Sequence, residues 1–275
     1  MIVKEVYAKT VLSKSKVFDY AINPYVGCGH GCTYCYARFI KRFTGHRESW
    51  GEFVDVRVNA AHLLQRELRR KRVGRVWVSG LCDPYQPVEA EYAVTRGCLE
   101  VLLKRGWPVT VQTKSPLVLR DIELLQSQSS SVEVVLTITT ADDGVRRIFE
   151  PKLPSISERL KALERLHSAG VKTAVMIAPI LPGEENLVKA ISGKVDYVYV
   201  DKMNYHYADW VYRKYGLEYA MTEEYFKHKK RELAEALENE KIPYEFEYLT
   251  APHFNASGRG ALPPTQFIVT TPLIP

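Results

Sequence analysis

The feature that most constrains this chain is an alternation of short β-branched runs with longer amphipathic stretches. Strand-like runs lie at 20–26, 76–79, 109–113, 132–139, 173–178 and 195–200, and helical periodicity fills the gaps at 60–71, 90–104, 117–125, 155–169 and 184–191. Ala162, Leu163, Leu166 and Ala169 share one helical stripe, and Gly170 follows as a stop. Ser157 and Leu160 bracket one start for that helix; Ser155, with Glu158 three residues on, offers another as a capping box. Such alternation predicts parallel strands joined by crossover helices. Six units fall short of an eight-fold barrel, so the expected fold is α/β, a partial (β/α)6 TIM-like barrel. Sites in such sheets form at the C-terminal ends of the strands.

The pattern divides the chain into an N-terminal extension (1–19), a barrel core (20–202) and a C-terminal appendage (203–275), the last a candidate substrate cover. The appendage opens on the Tyr- and Trp-rich MNYHYADWVYRKYGLEYA, continues in a charged helix at 223–239, and ends in a Gly/Pro-rich loop beginning APHFNASGRGALPPTQ with a short extended run. No run approaches the roughly 20 apolar residues a membrane helix needs. No signal-type apolar segment opens the chain, so a cytoplasmic protein with no membrane partner is expected. The formal net charge of +6 is compatible with a polyanionic partner without demanding one.

Three of the five cysteines crowd into INPYVGCGHGCTYCYAR at Cys28, Cys32 and Cys35, too close for a disulfide framework. Gly27, Gly29 and Gly31 let that backbone curl around a bulky centre. Thiolates are the usual ligands of iron–sulfur clusters, and three of them on a four-iron cube leave one iron open. The rival is a zinc tetrahedron completed by His30. Cys98 lies on an apolar helical face and reads as core.

The Cys-x3-Cys-x2-Cys spacing, with Tyr34 before the last cysteine, resembles the signature of the radical SAM superfamily. GLCDPYQPVE, TKSPLVLRDIELL, FEPKLPSISERLKAL and MIAPILPG resemble, in order, motifs of its spore photoproduct lyase-like (DNA repair photolyase-like) group. The resemblance implies a [4Fe–4S] cluster on Cys28, Cys32 and Cys35, with S-adenosylmethionine chelating the open iron. Reductive cleavage would then yield a 5′-deoxyadenosyl radical that takes hydrogen from a substrate. It also implies a reductant such as ferredoxin or flavodoxin.

Residue by residue, the resemblance places Tyr34 beside the adenine, Tyr36 on the substrate side, and Lys114 on the methionyl carboxylate, with Thr139 (or its rival Thr137) on the same group. It places Ser79 and Asp83 at the ribose or amino group and the Ala178 backbone at the adenine. Plainer readings stand beside these: Ser79 and Thr139 as strand-end satisfiers, Asp83-Pro84 as a turn starter, Glu150 and Arg159 as a surface ion pair. Cys82 is expected as a lining residue, with hydrogen donation to a product radical as the alternative.

A DNA or RNA substrate would draw on Arg66, Arg69, Arg70, Lys71, Arg72 and Arg75, on Lys227, Lys229, Lys230 and Arg231, and on the aromatics Tyr205, Tyr207, Trp210, Tyr212 and Tyr215. A peptide or small molecule is the second substrate class. Outside enzymes, the alternative is a cluster-binding electron-transfer or sensor protein, which would have no use for a methionyl carboxylate site.

Overall fold

The computed structural model describes residues 1–203 and 205–246. The Gly/Pro-rich loop and terminal extended run expected beyond 250 lie outside them. The strands are β1 (Ile2–Val6), β2 (Leu12–Lys14), β3 (Tyr20–Ile22), β4 (Tyr25–Val26), β5 (Phe53–Arg57), β6 (Val76–Val78), β7 (Val109–Thr113), β8 (Val132–Thr137), β9 (Lys172–Ile177), β10 (Tyr197–Val200) and β11 (Tyr244–Phe246). The main sheet runs β11-β10-β9-β8-β7-β6-β3-β2. All its neighbours are parallel except β2 and β3. Its edges β11 and β2 do not pair, so the sheet stops short of a closed barrel.

The parallel α/β architecture agrees with the expected partial barrel. All six expected runs supply parallel strands, and β11 adds another that the sequence did not announce: a three-residue YEF is too short for a periodic signal. The run at 20–26 splits, because Asn23 and Pro24 end β3. Its remainder, β4, pairs antiparallel with β5 in a second sheet of order β1-β5-β4. That small sheet lies against the cysteine loop: a Cβ at Gly27 would stand 2.4 Å from Phe53 O.

The central strands are apolar on both faces because helices cover one side and the barrel interior the other. Every residue of β8 is buried. The helix Ile156–Ser168 starts as the capping box requires: Ser155 Oγ accepts from Glu158 N at 3.3 Å, and Glu158 Oε2 accepts from Ser155 N at 2.8 Å. Ala162, Leu163 and Leu166 are fully buried beneath it, and Gly170 follows with φ of 75°. The helix expected at 90–104 is broken by Ala93, whose φ of 50° separates Glu89–Tyr92 from Val94–Lys104. Among the described residues no helix is long and apolar enough to cross a membrane.

Candidate functional site

The C-terminal ends of β6, β7 and β8 open onto one cavity, and the cysteine loop closes over it. Cys28, Cys32, Cys35, Tyr36, Ser79, Cys82, Asp83 and Lys114 line it, with His30, Trp77, Gln112 and Thr137 among the others. Residues as far apart in the chain as Cys28 and Thr137 are thus brought together by the sheet order. Three other candidates, Tyr34, Thr139 and Ala178, are not on its wall.

The loop owes its path to glycine. Gly27 (φ 85°) and Gly31 (φ 62°) adopt the left-handed conformation that side chains resist. Gly31 packs directly on Gly51, where Lys152 Nζ also donates to Gly51 O at 2.9 Å. Gln86 holds the loop from below, accepting from Gly29 N at 2.8 Å and donating to Gly27 O at 3.3 Å. All five cysteines are free thiols, and Cys98 is buried in the core as expected.

Burial and the neighbouring Cys28 push the Cys35 thiol up to about 11, and burial pushes Cys32 well above the ordinary thiol range. Such crowded thiols ionise readily only beside a cation that offsets their charge. Lys114 supplies one. Burial works against its ammonium, but the charges of Cys32, Glu150 and Asp83 outweigh that and hold it above the ordinary lysine range.

Asp83 is engaged on both oxygens. Oδ1 accepts from Thr113 Oγ1 at 2.6 Å and Tyr85 N at 2.9 Å, and Oδ2 accepts from Lys114 N at 2.8 Å. Burial pushes its carboxyl up, yet the His30 charge and these hydrogen bonds bring it down to about 2. Oδ2 also lies 3.4 Å from His30 Nδ1, in ion-pair contact. Among the described residues no three His, Cys, Asp or Glu side chains are disposed to hold a single metal ion.

Ser79 Oγ donates to Asn23 Oδ1 at 2.9 Å and stands 2.9 Å from Cys82 Sγ. Of the two threonines weighed for one role, Thr137 lines the cavity with its hydroxyl buried and unpartnered, while Thr139 donates to Glu150 Oε1 at 3.2 Å. Ala178 follows the end of β9, ahead of Pro179. The donor set fits an iron–sulfur cluster: three free thiols on one wall, an ammonium facing them, and one polar atom, Thr137 Oγ1, buried without a hydrogen bond.

Glu150 and Arg159, expected as a surface ion pair, are both fully buried, with Arg159 Nη2 2.6 Å from Glu150 Oε2. Their burial follows from partners remote in the chain, which no local pattern reveals. The aromatic appendage splits in two. Tyr212 is buried against Phe149 with ring centres 4.8 Å apart, whereas Trp210 is 53% exposed. Tyr36 donates to Gly80 O and stacks on Tyr205 (6.0 Å), which stacks on Tyr207 (6.0 Å), with Arg38 over the last ring at 5.6 Å.

The basic clusters are less available than their spacing implies. Residues 69–72 are exposed, but they precede β6, at the opposite end of the sheet from the cavity. Lys229 is committed to Glu184, Glu185 and Glu232 at 3.0, 3.0 and 2.9 Å.

Comparison with known proteins agrees with this geometry. Residues 22–187 match the Radical SAM superfamily. An uncharacterized protein of Methanocaldococcus jannaschii is 35% identical over 180 residues, covering 65% of this chain and 67% of that protein. An uncharacterized protein of Mycobacterium tuberculosis is 33% identical over 189 residues, covering 65% of this chain and 56% of that one. The chain therefore spans between about half and two thirds of these curated relatives. Spore photoproduct lyase complexed with dinucleoside spore photoproduct superposes with a TM-score of 0.67 at 16% identity, over 90% of this chain and 82% of that one. Streptococcus suis SuiB bound to S-adenosylmethionine superposes with a TM-score of 0.56 at 15% identity, over 82% of this chain and 49% of that one.

Proposed function

The chain belongs to the radical SAM superfamily, and on that premise we propose that it is an enzyme holding a [4Fe–4S] cluster on Cys28, Cys32 and Cys35 and binding S-adenosylmethionine at the iron they leave open. The observation that carries this reading is the single cavity wall shared by those three free thiols and the Lys114 ammonium. When bound, the cluster and S-adenosylmethionine supply a 5′-deoxyadenosyl radical able to take hydrogen from an unreactive carbon.

The chain's own part is to bind, orient and exclude water. Lys114 is assigned to the methionyl carboxylate, because a partly buried ammonium grips an anion more strongly than an exposed one. The unpartnered Thr137 hydroxyl is a donor for the same group; Thr139 is spent on Glu150 and would act only through it. Tyr34 is assigned to the adenine side with Ala178. Asp83 and Ser79 hold the cavity rim at the ribose or amino side. Cys82, 2.9 Å from Ser79 Oγ on the same cavity wall, is assigned to the substrate side as the lining thiol not needed for the cluster.

The substrate reading favoured is a nucleic acid. Tyr36, Tyr205 and Tyr207 form a stacked ladder leading out from the cavity, with Arg38 at its end, a combination that suits bases and a phosphate backbone. In this reading the described residues 205–246 contribute to a cover on the substrate side. A reductant of the ferredoxin or flavodoxin kind supplies the electron.

The test is anaerobic turnover of reconstituted protein with dithionite and S-adenosylmethionine. Formation of 5′-deoxyadenosine supports the enzyme. Its absence from fully reconstituted protein would leave an electron-transfer or sensor protein instead.

A further inference from the structure

Glu150 has no role of its own in the reading above beyond occupying Thr139 and lending charge near Lys114, yet it is a costly residue to keep. Neither it nor Arg159 has any exposed surface. Desolvating two charges can cost more than their attraction returns, and apolar side chains of similar volume often stabilise a fold as well or better. Stability alone is therefore a weak reason for a carboxylate at this point.

What it touches says what. Oε1 accepts from the Tyr34 hydroxyl and from Thr139 Oγ1 at 3.2 Å, and Oε2 is in ion-pair contact with Arg159 Nη2 at 2.6 Å. These partners come from the cysteine loop, the segment after β8 and the helix Ile156–Ser168. One residue earlier, Phe149 O accepts from both Thr33 N (2.9 Å) and Thr33 Oγ1 (3.1 Å), so the loop is tied down at Thr33 as well as through the Tyr34 hydroxyl. Tyr34 stands between Cys32 and Cys35, and the Lys114 ammonium lies 5.8 Å from the centre of its ring. The carboxylate therefore fixes the ring beside the ammonium and contributes negative charge around it.

We infer that Glu150 is a positioning residue: through the Tyr34 hydroxyl and its own charge it seats the Lys114 ammonium where the carboxylate of S-adenosylmethionine is gripped. This rests on the functional reading above.

Two variants test it. Tyr34→Phe keeps the ring and removes only the hydroxyl that Glu150 reads. The double variant Glu150→Gln with Arg159→Met removes the charge without stranding its partner. Both are loaded with cluster; iron content, thermal unfolding, S-adenosylmethionine Kd and the split between KM and kcat are measured. The inference expects full iron content with Kd and KM raised about tenfold or more, the usual scale for losing a group that orients a ligand-binding residue. Kd unchanged in both variants overturns it. Iron lost in step with affinity also overturns it, because a loop that has merely come loose drops its cluster as well. A wild-type protein that binds no S-adenosylmethionine overturns the functional reading itself, and this inference with it.

Discussion

Lys114 shows how a single residue reports on what is missing around it. An ammonium partly withdrawn from water, with Asp83, Glu150 and two thiols as neighbours, is arranged to meet a carboxylate as well as to offset thiolates. Lys114→Ala is expected to spare the cluster's visible absorption and to weaken S-adenosylmethionine binding about tenfold or more, since a hydrogen bond to a charged group supplies roughly 1.5–3 kcal/mol. Equilibrium binding to the reconstituted protein measures it; unchanged affinity would remove Lys114 from the role. Alanine at Cys28, Cys32 or Cys35 is expected to abolish that absorption, whereas Cys98→Ala, on a core helix, keeps it. The cysteine triplet and Lys114 were legible in the sequence because each carries its signal locally, in spacing or in an unpaired charge after a β-run. Glu150, Arg159 and the Asn23–Ser79 bond were not, because what gives them meaning is a partner in another part of the chain.

At the scale of elements, strong periodicity was enough and short elements were not. The 13-residue helix Ile156–Ser168 declared its stripe, its cap and its stop. β11 has three residues, and the seven-residue helix Asp143–Phe149 begins with Asp-Gly, which reads as a turn. Replacing Ser155 with Ala should lower stability by about 1 kcal/mol, the usual cost of a lost N-cap, measurable by denaturant unfolding. The contact between the Val94–Lys104 helix and the segment after β7 adds a pH dependence. Asp121 is fully buried and accepts from Arg96 Nη1 at 2.8 Å, Arg120 Nη2 at 2.9 Å and Tyr85 OH at 2.9 Å. Burial raises its pKa, but the Arg120 bonds and charge outweigh that and hold the carboxyl below the ordinary range. A depressed folded pKa contributes stability that is complete above the unfolded value near ~4 and is lost as pH falls through the folded one. Asp121→Asn should therefore be less stable at neutral pH and show a shallower loss of stability below about pH 4. An unchanged acid limb would contradict this.

In the whole molecule, the parallel order of the sheet turns separate strand ends into one site. The loop of Cys28–Cys35 is braced from outside by the small β1-β5-β4 sheet and reached from beyond residue 202 by Tyr205. If that aromatic ladder receives a nucleic acid, log affinity should fall linearly with log salt by about 0.7–0.9 per phosphate contacted. Tyr205→Ala should weaken binding by the ~1–3 kcal/mol of a lost stacking platform. Binding indifferent to both would favour a peptide or small-molecule substrate. The account as a whole depends on what the three thiols hold, and iron and acid-labile sulfide analysis of anaerobically purified protein asks this directly. The account predicts about four of each per chain, lost on replacing any one of Cys28, Cys32 or Cys35; one zinc per chain and no sulfide would contradict it.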